Sequence, residues 1–287
     1  MRKMEDIKTK IDPIVLHTLP FVPTRSRIKG YEMVRKWGDA TVTFKAIETL
    51  NAYDLVTLLF MLRDYIQNRS QWIKVTKIDK KGRYMLQRTI NLEQYAKERL
   101  VLNKKINRKN IFKSIRRLKS IDISLTSPQE EIETNYIFEV TWDKEKDPHC
   151  KICEVLVNQR FFDFCVTKGI VVILKRILKY KSEMTILLDV FIQGTKFTKY
   201  QEELLFEKIG LNETSLNIRF KRRNLKKIFA EYNKFTDLKF TYNKFTKNWE
   251  MVGHKSKTFW EMVGHKREIV GHKSASNAYG KAGFISI

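Results

Sequence analysis

The stretch from Thr214 to Ala230 reads TSLNIRFKRRNLKKIFA and contains no acidic residue. Apolar side chains recur along it, and just beyond it, at the period of an α-helix: Ile218, Leu225, Ile228, Phe229 and Tyr232. Cations at i, i+3, i+4 and i+7 fall on the opposite side: Arg219, Arg222, Arg223 and Lys226. The pattern predicts a long helix, from about Glu213 to Asn233, with one side in a core and the other suited to phosphate.

A second stretch, from Arg99 to Ile121, also has no acidic residue and repeats the arrangement. Its apolar stripe is Ile111, Ile115 and Leu118, and its basic stripe is Lys109, Lys113, Arg116 and Arg117. Two basic amphipathic helices, about one domain apart, indicate a duplicated nucleic-acid reader.

The composition is typical of a globular, strongly basic protein. The chain has 287 residues, of which 43% are hydrophobic and 12% aromatic, so packed cores are expected. The formal net charge of +24 attracts polyanions, which makes DNA, RNA or an anionic membrane the candidate partners. Because the apolar runs are too short to span a bilayer, we expect no membrane partner. No signal peptide is visible after Met1 to Lys10, so a cytoplasmic location is expected.

The cysteines suggest only a weak metal hypothesis. Cys150 and Cys153 form a Cys-x-x-Cys pair beside His149, which is half of a zinc site. No second half is visible, because Cys165 stands alone. We therefore predict no metal and no cofactor, and leave open whether Cys150 and Cys153 bind metal.

The element order predicts an α+β chain of two tandem winged-helix domains, mainly helical with small β-hairpin wings. Residues 1–40 form an extended arm with little core. The first domain, 41–147, turns helical at about Thr41. It continues with a leucine-rich helix at 50–68, a hairpin at 72–90, helices at 92–100 and 107–120, and strands at 121–125 and 136–142 around a loop at 127–134.

The second domain, 148–250, is predicted to repeat this order and to be the main DNA reader. Its elements are an extended segment at 155–164, helices at 170–180 and 182–192, a short helix at 199–208 ended by Gly210, the basic helix, and strands at 234–242 and 247–252. The tail, 251–287, is repetitive, since Trp249 to Lys255 recurs as Trp260 to Lys266, and we expect it to be disordered.

Catalysis has little support in the sequence, and we expect no enzyme. A phosphate-binding Gly-rich loop with Lys-Ser/Thr is missing. Acidic residues at Glu139, Asp143 and Glu145 could bind a divalent ion for nuclease work, but a solvated strand end and linker explains them more simply.

Residues 197–242 resemble a known family of DNA-binding proteins. Tyr200 to Leu211 reads YQEELLFEKIGL, Phe220 to Tyr232 reads FKRRNLKKIFAEY, and Leu238 to Tyr242 reads LKFTY. This succession resembles the carboxy-terminal winged helix of iteron-binding plasmid replication initiators, where a short helix ending in Leu-Gly-Leu precedes a long helix and then the wing. Across residues 44–142 the order of elements is compatible with the same family.

The resemblance implies a non-enzymatic initiator that binds direct repeats of double-stranded DNA at a plasmid origin. It also implies opening of adjacent A+T-rich DNA, recruitment of host initiator and helicase, and homodimers that repress their own gene. The implied DNA contacts are Arg219, Arg222, Arg223, Lys226 and Lys227 in the second domain, and Lys109, Lys113, Arg116 and Arg117 in the first. The alternative is a winged-helix transcriptional regulator without a replication role.

Overall fold

The structure is a computed structural model, and it describes the chain in segments. The described residues are 8–12, 15, 18, 20–22, 29–37, 39–77, 84–100, 108–128, 130–167, 169–195, 198–212, 216–246 and 248–252. The predicted tail from residue 253 onward, and much of the predicted arm, lie outside them. Among the described residues, no helix combines the length and the apolar character that crossing a bilayer requires.

The helices of the described segments alternate with strands along the chain. They are α1 (Ala52–Gln67), α2 (Leu92–Leu100), α3 (Arg108–Lys119), α4 (Gln159–Thr167), the short α5 (Leu174–Ile177), α6 (Glu183–Gly194), α7 (Glu202–Lys208) and α8 (Ile218–Tyr232). A 3-10 turn, Arg69–Gln71, follows α1.

Strands of the described segments form four antiparallel sheets. Their bounds are β1 (Lys8–Ile11), β2 (Lys29–Trp37), β3 (Ala40–Glu48), β4 (Ile73–Lys77), β5 (Tyr84–Asn91), β6 (Ile121–Ser127), β7 (Glu130–Asn135), β8 (Glu139–Thr141), β9 (Ile152–Asn158), β10 (Ile170–Ile173), β11 (Lys199–Gln201), β12 (Lys239–Asn243) and β13 (Asn248–Val252). The strand orders are β2-β3-β6-β7, β4-β5-β9-β8, β11-β13-β12 and β1-β10. The fold is therefore mixed α+β, with more strand than the predicted mainly helical chain with small hairpin wings would have.

Helix α1 is the centre of the first half of the chain, as its leucine pattern predicts. Its apolar residues face inward around most of its circumference, with Leu55, Leu58, Leu59 and Leu62 fully buried. Asn51 begins the helix by accepting hydrogen bonds from the backbone N–H groups of Tyr53 and Asp54, and Asp54 accepts one from the Asn51 backbone in return. Asp54 is consequently fixed in the core at the start of α1.

The predicted boundary between an extended arm and a helical region at about Thr41 is wrong. Residues 40–48 form strand β3, in which Ala40, Val42 and Phe44 are buried and the residues between them are less so. This alternation has the period of a β-strand and not that of a helix. In the sheet, Phe44 lies opposite Ile123 of β6. The arm also has core residues of its own, since Ile11 and Phe21 are buried.

Two further segments differ from the predicted elements. The predicted loop at 127–134 is largely strand β7, in which Ile132 is buried opposite Leu125 of β6. Strand β9 pairs with β5, so residues that the predicted division gives to the second domain belong to a sheet of the first half. The remainder of that division stays a prediction.

In the second half the predicted long helices are confirmed, but the segments before them differ from the predicted elements. The segment predicted as extended at 155–164 is strand β9 followed by helix α4, and the helix predicted at 170–180 begins as strand β10. Gly210 ends α7 as expected, with φ +73° and with Leu211 N–H bonded to the carbonyl of Phe206. The short helix α7 is itself preceded by strand β11 rather than starting at Lys199.

Strand β1, near the amino end, pairs with β10 of the second half. Lys10 lies opposite Val171 and Ile11 opposite Ile170. Gly169, just before β10, allows this approach, because a Cβ there would lie 2.8 Å from the Lys10 Cβ and 2.9 Å from the Ile11 backbone nitrogen. The amino-terminal segment is thus built into the fold.

We expect Gly169→Ala to separate β1 from β10, at a cost of about 1 to 3 kcal/mol in the free energy of unfolding, because the added methyl group meets backbone atoms. Urea unfolding measures the cost, and trypsin cleavage at Lys10, followed by mass spectrometry, measures the local opening. Gly30→Ala is the control: its Cβ meets open space, and its φ of +64° makes it strained by about 1 to 2 kcal/mol without exposing Lys10. Protection of Lys10 in Gly169→Ala would contradict the close approach.

Candidate nucleic-acid interface

Helix α8 is fixed by an aromatic cluster under its apolar side. Leu225, Ile228, Phe229 and Tyr232 are buried, as the periodicity predicts. The Phe229 ring stacks on Phe240 of β12, with ring centroids 4.1 Å apart, and lies 4.7 Å from Trp249 of β13. The helix begins where Asn217 accepts a hydrogen bond from the backbone N–H of Phe220.

Glu231, near the end of α8, joins this helix to α6. Its carboxylate accepts hydrogen bonds from the Thr185 hydroxyl at 2.6 Å, the Ser182 backbone N–H at 3.2 Å and the Lys181 backbone N–H at 2.6 Å. These N–H groups lie at the amino end of α6, where a negative charge is favourable. Glu231 is part of the sequence motif quoted above, and its role here is to fix the direction of α8.

Four of the five predicted contacts in the second half share the exposed side of α8. Arg219, Arg223, Lys226 and Lys227 are all exposed, and they occupy positions i, i+4, i+7 and i+8. Arg219, Arg223 and Lys227 follow one another at intervals of about one helical turn, and Lys226 is next to Lys227 in the sequence. The result is a cationic stripe on a rigid support, and we name these four residues the α8 stripe.

Arg222 is the fifth predicted residue, and it is engaged within the protein. Its Nε donates to Glu202 Oε2 at 2.8 Å, and the Glu202 side chain is only 4% exposed. This hydrogen bond raises the pKa of the Arg222 guanidinium. Glu202 also accepts from the Trp249 indole at 3.4 Å. Arg222 therefore links α8 to α7 and β13, although half of its side chain remains exposed.

Helix α3 presents a shorter basic stripe in the first half. Lys109, Lys113 and Arg116 are exposed at i, i+4 and i+7, and we name them the α3 stripe. On the other side Ile111, Ile115 and Leu118 are fully buried. The predicted amphipathic arrangement of this helix is confirmed for these residues.

Arg117 does not belong to the α3 stripe, and its predicted place beside the other three cations is wrong. Its side chain is 13% exposed and forms an ion pair with the fully buried Asp54 of α1, with Nη2–Oδ1 at 2.6 Å and Nε–Oδ2 at 2.9 Å. Burial works against its charge, but the hydrogen bonds and the attraction of Asp54 outweigh this and raise its pKa. Arg117 thus neutralises a core carboxylate.

Sequence reasoning missed the apolar residues that the structure exposes beside the basic helix. Ile218, assigned to the core side, is about half exposed because it lies about two turns before Leu225, the first buried residue of the helix. Phe220 is 50% exposed, and Phe245, in the turn between β12 and β13, is 99% exposed. In sequence, an apolar residue beside arginines at a helix start is a signal for Ile218 and Phe220, and nothing comparable marks Phe245.

The β12–β13 hairpin runs alongside α8 toward its amino end. Phe240 contacts Phe229 in the last half of the helix, whereas Tyr242, two residues later, lies within electrostatic reach of Arg222. The turn bearing Phe245 follows directly, and Asn243 closes it by accepting from the backbone N–H groups of Phe245 and Thr246.

The acidic residues and cysteines take structural positions. Asp143 Oδ1 accepts from the backbone N–H groups of Glu145 and Lys146 at 3.0 Å each, which closes a turn after β8. Cys150 and Cys153 are buried, and burial raises the pKa of the Cys153 thiol to about 12. Cys153 lies in β9 opposite Ile90, so this pair is not in a plain linker.

Comparison with known proteins shows a shared fold. No protein-family model and no curated protein matches the sequence. The crystal structure of domains 2 and 3 of RctB is similar, with a TM-score of 0.55 at 13% identity, over 84% of this chain and 98% of that one. A second structure of RctB domains 2-3 gives a TM-score of 0.54 at 14% identity, over 88% and 100%. The Pi initiator protein in complex with iteron DNA gives 0.43 at 17% identity, over 71% and 95%.

Arg117 and its neighbour Arg116 provide a matched pair for a mutational test. We expect Arg117→Met to lower the free energy of unfolding by about 3 to 5 kcal/mol, because Asp54 is left buried without a counter-ion. Arg116→Met should leave the free energy of unfolding unchanged, since Arg116 is exposed. Urea unfolding measures the stability of both variants. Equal loss of stability in both variants would refute the assignment.

Proposed function

We propose that this protein is a sequence-specific, double-stranded DNA-binding replication initiator that binds direct repeats at an origin. The observation that carries the proposal is the α8 stripe: four exposed cations on a helix whose other side is fixed by aromatic packing and by Glu231. A rigid cationic helix can enter a major groove, where Arg takes guanine bidentately. The resemblance of residues 197–242 to iteron-binding initiators supports the replication role.

The elements around α8 fit a winged helix. Helices α6, α7 and α8 are followed by the β12–β13 hairpin. Strand β11, which lies between α6 and α7 in the sequence, joins this hairpin in a three-stranded sheet. In this assignment α8 is the reading helix and the hairpin is the wing. In the first half α1, α2 and α3 are likewise followed by a hairpin, β6–β7, which β2 and β3 extend into a four-stranded sheet; the strands between α1 and α2 join β9 and β8 in a separate sheet.

We assign different roles to the two basic stripes. Arg219 and Arg223 are the candidates for base reading, and Lys226 and Lys227 for phosphate contacts. The α3 stripe would bind phosphates in the first half. Arg222 contributes by fixing α8 on α7, and can reach DNA with the part of its guanidinium outside the bond to Glu202.

The wider role follows from the family resemblance alone. It comprises opening of A+T-rich DNA beside the repeats, recruitment of the host initiator and helicase, and homodimers that repress the gene. We propose that the protein is not an enzyme, because Asp143, the best nuclease candidate, is engaged in closing a turn. Magnesium-dependent nicking that Asp143→Ala abolishes would overturn this point.

A footprint of the purified full chain across its own gene and flanks tests the central proposal. We expect protection at regularly spaced repeats, and we expect the protected segment, cloned in a vector, to be maintained only when the protein is supplied. Protection of one operator without maintenance would instead establish the transcriptional regulator. Absence of any protected site would refute sequence-specific binding.

Substitutions in the α8 stripe separate base reading from phosphate binding. Arg223→Ala should cost about 1 to 3 kcal/mol of binding free energy and relax sequence preference, whereas Lys227→Ala should weaken all duplexes alike and reduce the salt slope by about 1. Anisotropy titrations at several salt concentrations measure both. Lys146→Ala, an exposed cation outside the stripes, is the control and should change neither. A uniform loss in Arg223→Ala would reassign it to phosphate.

A further inference from the structure

The exposed side of α8 is not purely cationic, because it includes one large apolar side chain. Phe220 is 50% exposed, whereas many other aromatic side chains of this half are buried in the core. At 100° per residue, Lys227, Arg223 and Arg219 are rotated from Phe220 by about 20°, 60° and 100°, all in the same direction. Phe220 therefore lies at the edge of the α8 stripe, next to Lys227 and Arg223 around the helix.

The position of this ring is fixed by the start of the helix. Its backbone N–H donates to the Asn217 side chain at 3.1 Å, so Phe220 is in the first capped turn of α8. The buried residues Leu225, Phe229 and Tyr232 lie on the far side of the helix axis. The ring therefore points to the same space as the arginines.

The charges beside Phe220 indicate the kind of partner that would bind in this space. A contact surface bearing Arg219, Arg223 and Lys227 attracts a polyanion, which on the proposed function is duplex DNA. The major groove of DNA offers one apolar group at the edge of a base, the 5-methyl group of thymine, and Phe is among the side chains that contact it. Cytosine, with hydrogen at this position, offers none.

We propose that Phe220 packs against the 5-methyl group of thymine in the bound repeat, and so determines specificity for thymine at one or two positions. This inference rests on the proposed function and deepens it. It adds an apolar element of base recognition to the bidentate and phosphate contacts of the α8 stripe.

Replacement of single thymines by deoxyuridine tests this, because it removes only the methyl group. Preferred duplexes are first selected from a random pool with the full chain, and the best is then synthesised with each thymine replaced in turn. We expect about a fourfold loss of affinity at one or two thymines, from about 0.8 kcal/mol for one buried methyl group. Phe220→Ala should bind the thymine duplex more weakly and no longer distinguish thymine from uracil there.

Phe138→Ala is the matched control, since Phe138 is a similarly exposed phenylalanine of the first half. It should retain the full discrimination. Discrimination that persists in Phe220→Ala, or wild-type affinity that no thymine replacement changes, would overturn the inference while leaving the initiator proposal intact. Recovery of no preferred duplex from the pool would overturn the proposed function and this inference with it.

Discussion

Burial of one side of α8 is the constraint on which the rest of the second half depends. The helix contains six cations and one acidic residue, and like charges one turn apart repel each other. Such a helix gains little stability by itself, so the stack of Phe229 on Phe240 and the buried Leu225, Ile228 and Tyr232 must stabilise it. Glu231 then fixes its direction through α6. The exposed charge density is possible because the opposite side is so thoroughly packed.

Much of the helical fold could be predicted because helices are determined by local patterns. The leucine period of α1 and the glycine stop at Gly210 both lie within a few residues of the element that they define. The strands were predicted less well. Strand β3 pairs with β6 nearly eighty residues later as well as with its neighbour β2, and β1 pairs with the distant β10. Short strands with mixed side chains do not reveal such distant partners.

The candidate site shows the same limit at the level of single residues. Arg116 and Arg117 are adjacent and chemically identical, so sequence analysis predicts the same role for both. Only the position of Asp54, buried in another helix, sends Arg117 inward. Arg222 likewise forms an ion pair with Glu202, which lies on another helix, α7. Local periodicity finds which side of a helix is basic, but the acidic residues of neighbouring helices decide which cations remain available to a partner.

The pairing of β1 with β10 has a consequence for how the chain folds during synthesis. Residues 8–11 leave the ribosome well before their partner strand, residues 170–173, which is made about 160 residues later. Contacts of such long sequence separation form slowly, because the loop between them must be ordered first. The amino-terminal strand therefore waits, unpaired, while the central helix and its sheets assemble, and its docking is a late event that depends on completion of translation through β10.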